Sequence, residues 1–176
     1  MSNQNSRIKI DIAKNNKDFK LIENGSTVLK GIKPKWYSSE IQFHYNNKTY
    51  GIKKKGFWGT SFSILQSGRP IGDIVSSFKT GTKIVLKDSN LTTTQYSLKA
   101  EAVGKWYSSN KQYLLSENGE TPILTIHYSV KKWKESIEAE FSDKNNANYV
   151  LLVAALFLMR RQQSAESAGA GVAMSG

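Results

Sequence analysis

Most of the chain alternates between apolar and polar residues, which is the period-2 pattern of half-buried β-strands. Near the start, Ile8, Ile10 and Ile12 alternate with polar residues, and residues 137–141 repeat the pattern shortly before the end of the alternating region. From residue 7 to residue 142, the usual spacing of about 8–12 residues for a strand and its turn predicts about twelve strands.

One strand–turn–strand unit occurs three times. Each unit has an aromatic residue six positions before a glycine and an isoleucine six or seven positions after it. The three units are Phe19–Ile32, Phe62–Ile74 and Tyr113–Ile126. Because glycine adopts the positive φ that tight hairpin turns need, this repeat predicts three β-hairpins.

The run Tyr149–Met159 interrupts the alternation with eleven consecutive apolar residues. Asparagine is a preferred N-cap residue, and Asn148 is the last of three asparagines that precede the run. No glycine or proline occurs up to Gln163, so we expect a helix over residues 148–163. Arg160 and Arg161 follow the run, where cations complement the negative end of a helix dipole.

This helix is apolar on every face, which is typical of a helix buried all round or lying in lipid. A bilayer span needs about 20 apolar residues, so the length favours a buried helix over a membrane-spanning one or a buried strand. A helix about 10–12 Å across needs a barrel wider than eight strands. The sequence therefore predicts a mainly β protein, a closed antiparallel barrel of about twelve strands that encloses a hydrophobic C-terminal α-helix.

The same pattern divides the chain into three parts. We expect residues 1–6 to be a disordered N-terminus, residues 7–163 to form the barrel with its helix, and residues 164–176 to be a flexible Gly/Ala/Ser tail. The N-terminus lacks the apolar stretch of a signal peptide and the chain has no cysteine. Both features favour a cytoplasmic protein, including one peripheral to a membrane.

Composition narrows the chemistry further. Without cysteine there is no disulfide, no thiolate nucleophile and no Cys-ligated zinc. The two histidines, His44 and His127, cannot alone fill a metal site and are expected to be hydrogen-bonded strand residues. No phosphate-binding loop, dinucleotide fingerprint or serine elbow occurs. We therefore expect no enzymatic activity, no catalytic residue, no metal and no cofactor.

The net charge of +11 indicates an anionic partner, either lipid or nucleic acid, or else only a well-solvated basic surface. Two short segments, Lys53–Trp58 and Lys131–Lys134, combine a cluster of three lysines with a tryptophan, and Arg160–Arg161 is a third positive position. Lysines near an anionic bilayer contribute about 1 kcal/mol each, and tryptophan is favoured at the head-group level. The candidate lipid-binding residues are Lys53, Lys54, Lys55, Trp58, Lys131, Lys132 and Lys134.

Two other interpretations of these segments remain open. They could be solvated turns whose aromatic residues point into the core. Basic residues interleaved with aromatic ones could also bind single-stranded nucleic acid, but the chain contains no recognised RNA- or DNA-binding motif, which disfavours that partner.

The chain resembles the tubby C-terminal-like superfamily, which includes LURP-one-related proteins and phospholipid scramblases. The resemblance lies in the hairpin turns Glu23–Gly25, Ser67–Gly68 and Glu117–Gly119, in Ile71–Ile74 and in the terminal segment Asn148–Leu158. It implies a twelve-stranded barrel around a C-terminal helix and a non-enzymatic role. The acidic calcium-site segment and the cysteine cluster of scramblases are absent, which argues against scramblase activity.

Together, the charge pattern and the resemblance predict a binding module that attaches reversibly to anionic, phosphoinositide-containing membrane. The alternatives are a protein-interaction or structural module without a lipid ligand, or a scramblase-like membrane protein.

Overall fold

A computed structural model describes residues 7–13, 17–33, 40–56, 61–77, 81–87, 92–104 and 110–172. Within these residues, twelve strands form one closed barrel, and a 3₁₀ turn (Lys144–Asn146) then leads into the helix α1 (Tyr149–Val172). The strands are β1 (Ile8–Ile12), β2 (Asp18–Glu23), β3 (Ser26–Ile32), β4 (Ile41–Tyr45), β5 (Lys48–Lys55), β6 (Ser61–Gln66), β7 (Arg69–Ser77), β8 (Gly81–Lys87), β9 (Thr93–Ala102), β10 (Lys111–Glu117), β11 (Pro122–Lys131) and β12 (Lys134–Phe141).

The barrel has up-and-down topology. Every strand pairs antiparallel with the next one in the chain, and β1 closes the barrel by pairing with β12, with Ile8 opposite Ala139 and Ile10 opposite Ile137. Closure leaves none of the described strands with an edge exposed for pairing with another chain. The predicted fold class is thereby confirmed.

The three repeated units form hairpins that share one irregularity. In each hairpin the pairing register of the two strands shifts at the same place, two residues after the aromatic residue that begins the unit. The shifts follow Leu21, Ile64 and Leu115. These three residues are fully buried. A bulge increases the local twist of the strands, so the repeat in sequence becomes a repeated bend in the barrel wall.

The hairpin turns place two residues at positive φ. The predicted glycines Gly25, Gly68 and Gly119 have φ of 78°, 81° and 81°, as expected. Two further turns of this kind use no glycine, Asn46–Asn47 and Lys132–Trp133.

Helix α1 runs inside the barrel. Every residue from Val150 to Met159 is at most 9% exposed. The helix also touches opposite walls, because the ring of Phe157 packs edge-on against Phe62 of β6 at 4.9 Å, and the ring of Tyr149 packs against Phe141 of β12 at 5.9 Å. The predicted all-round burial of the apolar run is confirmed.

The helix begins as predicted and ends later. The Asn148 side chain accepts a hydrogen bond from the Leu151 N–H at 3.0 Å, which caps the first turn. The helix continues to Val172, so the predicted end at Gln163 is wrong, and residues 164–172 are helical rather than a flexible tail. A salt bridge between Lys111 and Glu166 ties this extension to β10. Residues 1–6 and 173–176 lie outside the described part.

The longer helix also corrects the role expected for the two arginines. Arg160 and Arg161 lie in the middle of α1, too far from its end to complement the dipole.

Because the strands alternate in direction, their ends alternate between the two mouths of the barrel. At the first mouth, the helix-entry end, lie the turns at residues 24–25, 46–47, 67–68 and 118–119 and the segment 143–148 that leads into α1. At the second mouth, the basic end, lie the last residues of β1, β3, β5, β7, β9 and β11 and the Lys132–Trp133 turn. Helix α1 leaves the barrel there.

Candidate functional site

Both predicted lysine groups lie at the basic end. Lys53–Lys55 are the last residues of β5, and Lys131, Lys132 and Lys134 surround the turn between β11 and β12. All six side chains are exposed. Strands β5 and β11 are six places apart in a ring of twelve, so the two groups stand on opposite sides of the same mouth. For such a barrel, this is a separation of roughly 20–25 Å.

The two ends of the barrel differ strongly in charge. The charges are counted among the described residues that lie within three residues of the strand ends, with the adjoining turns and residues 160–166. On this count the basic end has fourteen cations and six carboxylates. The described residues of the helix-entry end, with Arg7 and the segment 143–148 included, have six cations and five carboxylates by the same count. The cations of the basic end are Lys17, Lys20, Lys30, Lys33, Lys53, Lys54, Lys55, Lys83, Lys111, Lys131, Lys132, Lys134, Arg160 and Arg161, and its carboxylates are Asp11, Asp18, Glu40, Glu101, Glu135 and Glu166.

Most of the predicted lysines carry charge that no described carboxylate neutralises. Lys55 is the exception, because its Nζ lies 3.1 Å from Asp73 Oδ1, which also accepts a hydrogen bond from Ser63 at 3.1 Å. Lys53 and Lys54 have no described carboxylate within ion-pair distance, and the same holds for the three lysines around the Lys132–Trp133 turn. These five lysines are therefore available to an anionic partner.

Trp133 is the residue that sequence reasoning missed. Its side chain is 99% exposed at the tip of the β11–β12 hairpin. Both turn residues are left-handed, with φ of 48° at Lys132 and 65° at Trp133. Non-glycine residues with bulky side chains seldom adopt this conformation, and such positions concentrate at functional sites. The sequence signal that could have identified Trp133 is its position among the three lysines Lys131, Lys132 and Lys134.

Three more large apolar side chains are exposed in the described residues, and all lie at this same end. They are Ile32 at the end of β3, Val75 near the end of β7 and Val103 just after β9. With Trp133 they place apolar groups between the lysines around the mouth. Scattered apolar residues are ordinary on protein surfaces, but their confinement to one basic end indicates an amphipathic surface.

The remaining predicted positions contribute differently. Trp58 lies outside the described residues. Arg161 places its guanidinium 4.6 Å from the centre of the Phe62 ring. Arg160 binds Glu135 through two hydrogen bonds of 2.6 and 3.0 Å, so its charge is already compensated. Arg160 is half-buried, whereas Arg161 is exposed.

A hydrogen-bonded cluster surrounds Arg160 at the basic mouth. The hydroxyl of Tyr128 donates to Glu135 Oε1 at 3.0 Å, beside the Arg160 bonds. The hydrogen bond from Arg160 lowers the pKa of Glu135, although partial burial opposes this shift. Burial would lower the pKa of Arg160, but the bond and charge of Glu135 outweigh it and raise that pKa. The cluster ties α1 to β11 and β12.

The two histidines have the hydrogen-bonding roles expected for strand residues. His127 Nε2 lies 3.2 Å from Glu140 Oε1 on β12, and His44 Nδ1 lies 3.2 Å from Thr49 Oγ1 on β5. Among the residues described, no three histidine or carboxylate side chains are grouped as metal ligands. Within the same residues, no helix combines the length and apolarity that a bilayer crossing requires.

The chain was compared with protein-family models, curated proteins and solved structures. No family model, no curated protein and no solved structure matches it.

Proposed function

We propose that the protein is a non-enzymatic module that attaches reversibly to anionic membrane surfaces through its basic end. The observation that carries this proposal is the placement of unneutralised lysines on opposite sides of one mouth, with Trp133 and three other apolar side chains between them. Groups some 20–25 Å apart that face one way fit a flat, extended anionic partner better than a small anion.

The energetics are those of reversible binding. Each lysine close to an anionic bilayer contributes about 1 kcal/mol, and the attraction fades within a Debye length of about 8–10 Å. Five such lysines are available at the basic end, and the indole of Trp133 is placed to rest at the head-group level. The barrel axis would then stand close to the membrane normal.

The architecture also supports a proposed kinship. A twelve-stranded barrel with a C-terminal helix inside it is what the resemblance to the tubby C-terminal-like superfamily implies, and we extend the proposal to membership of that superfamily. The vesicle experiment below also tests which lipid head group the protein prefers.

The proposal is tested by co-sedimentation with phosphatidylcholine vesicles that contain no anionic lipid, phosphatidylserine, or a phosphoinositide at matched charge. The test variant changes Lys53, Lys54 and Lys132 to Glu. The matched control makes the same charge change at the helix-entry end, with Lys48, Arg69 and Lys87 changed to Glu.

We expect binding to the two anionic vesicles alone, weakening as salt is added. The loss of three lysines should lower the partition coefficient by roughly two orders of magnitude, whereas the control should stay within a few-fold of the unchanged protein. Equal losses in both variants, or equal binding to neutral vesicles, would refute attachment through the basic end. Stronger binding to phosphoinositide than to phosphatidylserine at matched charge would identify a specific head group.

A further inference from the structure

Helix α1 does not fill the barrel. Its backbone lies closest to β8 and β9, and on its other side a cavity of about 890 Å³ opens at the basic end, lined by one face of the helix and by residues of β1, β2, β4, β10, β11 and β12. The helix face towards this cavity carries Val153, Leu156, Phe157 and Arg160, which are spaced as one stripe of a helix. The volume lies in the range of cavities that hold small-molecule ligands.

The cavity changes character along its length. Its apolar lining includes Ile10 and Ile137 on the barrel wall and Val153 and Phe157 on the helix. Its outer part opens at the basic end, where Lys17, Lys33, Lys111 and Arg160 lie beside Asp18, Glu135 and Glu166. A cavity with a partly apolar lining and a mouth that carries several cations fits a ligand with an apolar tail and an anionic head.

The mouth already holds a carboxylate in the position that such a head would take. Glu166, on the part of α1 that extends out of the barrel, forms a salt bridge with Lys111. This hydrogen bond raises the pKa of Lys111 despite partial burial. The Glu166 side chain is about half exposed and belongs to the helix extension, so a ligand carboxylate can replace it without disturbing the apolar core.

We infer that this cavity binds a single-chain anionic lipid, with the acyl chain beside Val153, Leu156 and Phe157 and the head group at Lys111. This inference is independent of the proposed membrane attachment, because it concerns the interior of the barrel and is tested without vesicles. The shared ligand chemistry is one acyl chain with a carboxylate or phosphate head.

The experiment measures displacement of a fluorescent fatty acid from the full chain, below the micelle concentration. The competitors are fatty acids of ten to sixteen carbons, lysophosphatidic acid and hexadecanol. Each added methylene buried in the cavity should tighten binding about fourfold until the cavity is full. Hexadecanol, which lacks the charge, should bind at least about tenfold more weakly than hexadecanoate. Comparing hexadecanoate with lysophosphatidic acid identifies the preferred head group.

Two substitutions at the mouth should act in opposite directions. Lys111→Gln removes the cation that holds the head group and should weaken binding about tenfold or more. Glu166→Gln removes the competing carboxylate and should tighten binding about two- to fivefold. Lys87→Gln, at the other end of the barrel, is the matched control and should change nothing.

Filling the cavity is the second test. Val153→Phe should abolish binding because the larger side chain occupies the apolar part of the cavity. If that variant does not fold, Ile41→Trp tests the same point from a half-buried position on the strand wall. Val75→Trp, on an exposed position outside the cavity, is the control. The inference is overturned if no competitor displaces the probe, if hexadecanol binds as tightly as hexadecanoate, or if folded filling variants bind normally.

Discussion

The Lys132–Trp133 turn leads to a prediction in which stability and function change in opposite directions. Replacing it by Asn-Gly, the preferred sequence for a two-residue turn with both φ positive, should make the fold more stable and membrane binding weaker. The indole of Trp133 is 99% exposed, so its removal costs no packing inside the protein.

The magnitude follows from the backbone. A left-handed conformation costs an ordinary residue about 1–2 kcal/mol, whereas glycine has no such penalty and asparagine tolerates the conformation better than lysine. The stabilisation is reduced by about 0.5–1 kcal/mol, because glycine loses more chain entropy on folding than other residues do. The net gain is about 1 kcal/mol in the free energy of unfolding, which corresponds to about 2–4 °C in Tm for a chain of this size.

Urea unfolding at neutral pH and vesicle co-sedimentation measure the two effects. The double variant should unfold at a higher urea concentration and bind anionic vesicles about tenfold more weakly, since it loses one lysine and one interfacial indole. Lys132→Asn alone separates the charge from the indole. The reverse substitution at Asn24-Gly25, to Lys-Trp, should destabilise the fold. A double variant less stable than the unchanged protein would show that the turn is not strained.

Two further predictions concern stability. Gly72→Ala should destabilise the protein by several kcal/mol, because an added Cβ would lie 2.3 Å from the backbone oxygen of Val85. Gly51→Ala is the control and should be neutral or slightly stabilising, because its Cβ would lie 3.6 Å from the backbone oxygen of Ile41. The urea unfolding midpoints of the two variants test this prediction, and equal losses of stability would contradict it. Because the pKa of Glu135 is lowered in the folded state, its contribution to stability is complete above the ordinary glutamate pKa and is lost as the pH falls through the lowered one. Glu135→Gln should therefore be less stable than the unchanged protein at pH 7, with the difference vanishing in acid; a difference that persists in acid would assign the loss to packing.

The sequence by itself determined the elements whose causes are local. The hairpin turns at Gly25, Gly68 and Gly119 follow from the φ that glycine permits, and the start of α1 follows from the hydrogen bond that the Asn148 side chain can make. Strand number followed from alternation, and helix burial from an apolar run with no polar face. These determinants lie within a few residues of one another in the chain.

The site depended on relations that only the tertiary structure decided. Lys53–Lys55 and Lys131–Lys134 share one mouth because β5 and β11 run in the same direction through a closed ring. The turn at Lys132–Trp133 carries no glycine signal, and the pairing of the long strands β11 and β12 imposes it. The helix extends to Val172 where the local sequence favoured a flexible tail, with Lys111 on β10 holding Glu166. The cavity exists because a ring of twelve strands is wider than one helix with its side chains, a mismatch between whole elements that no single residue encodes.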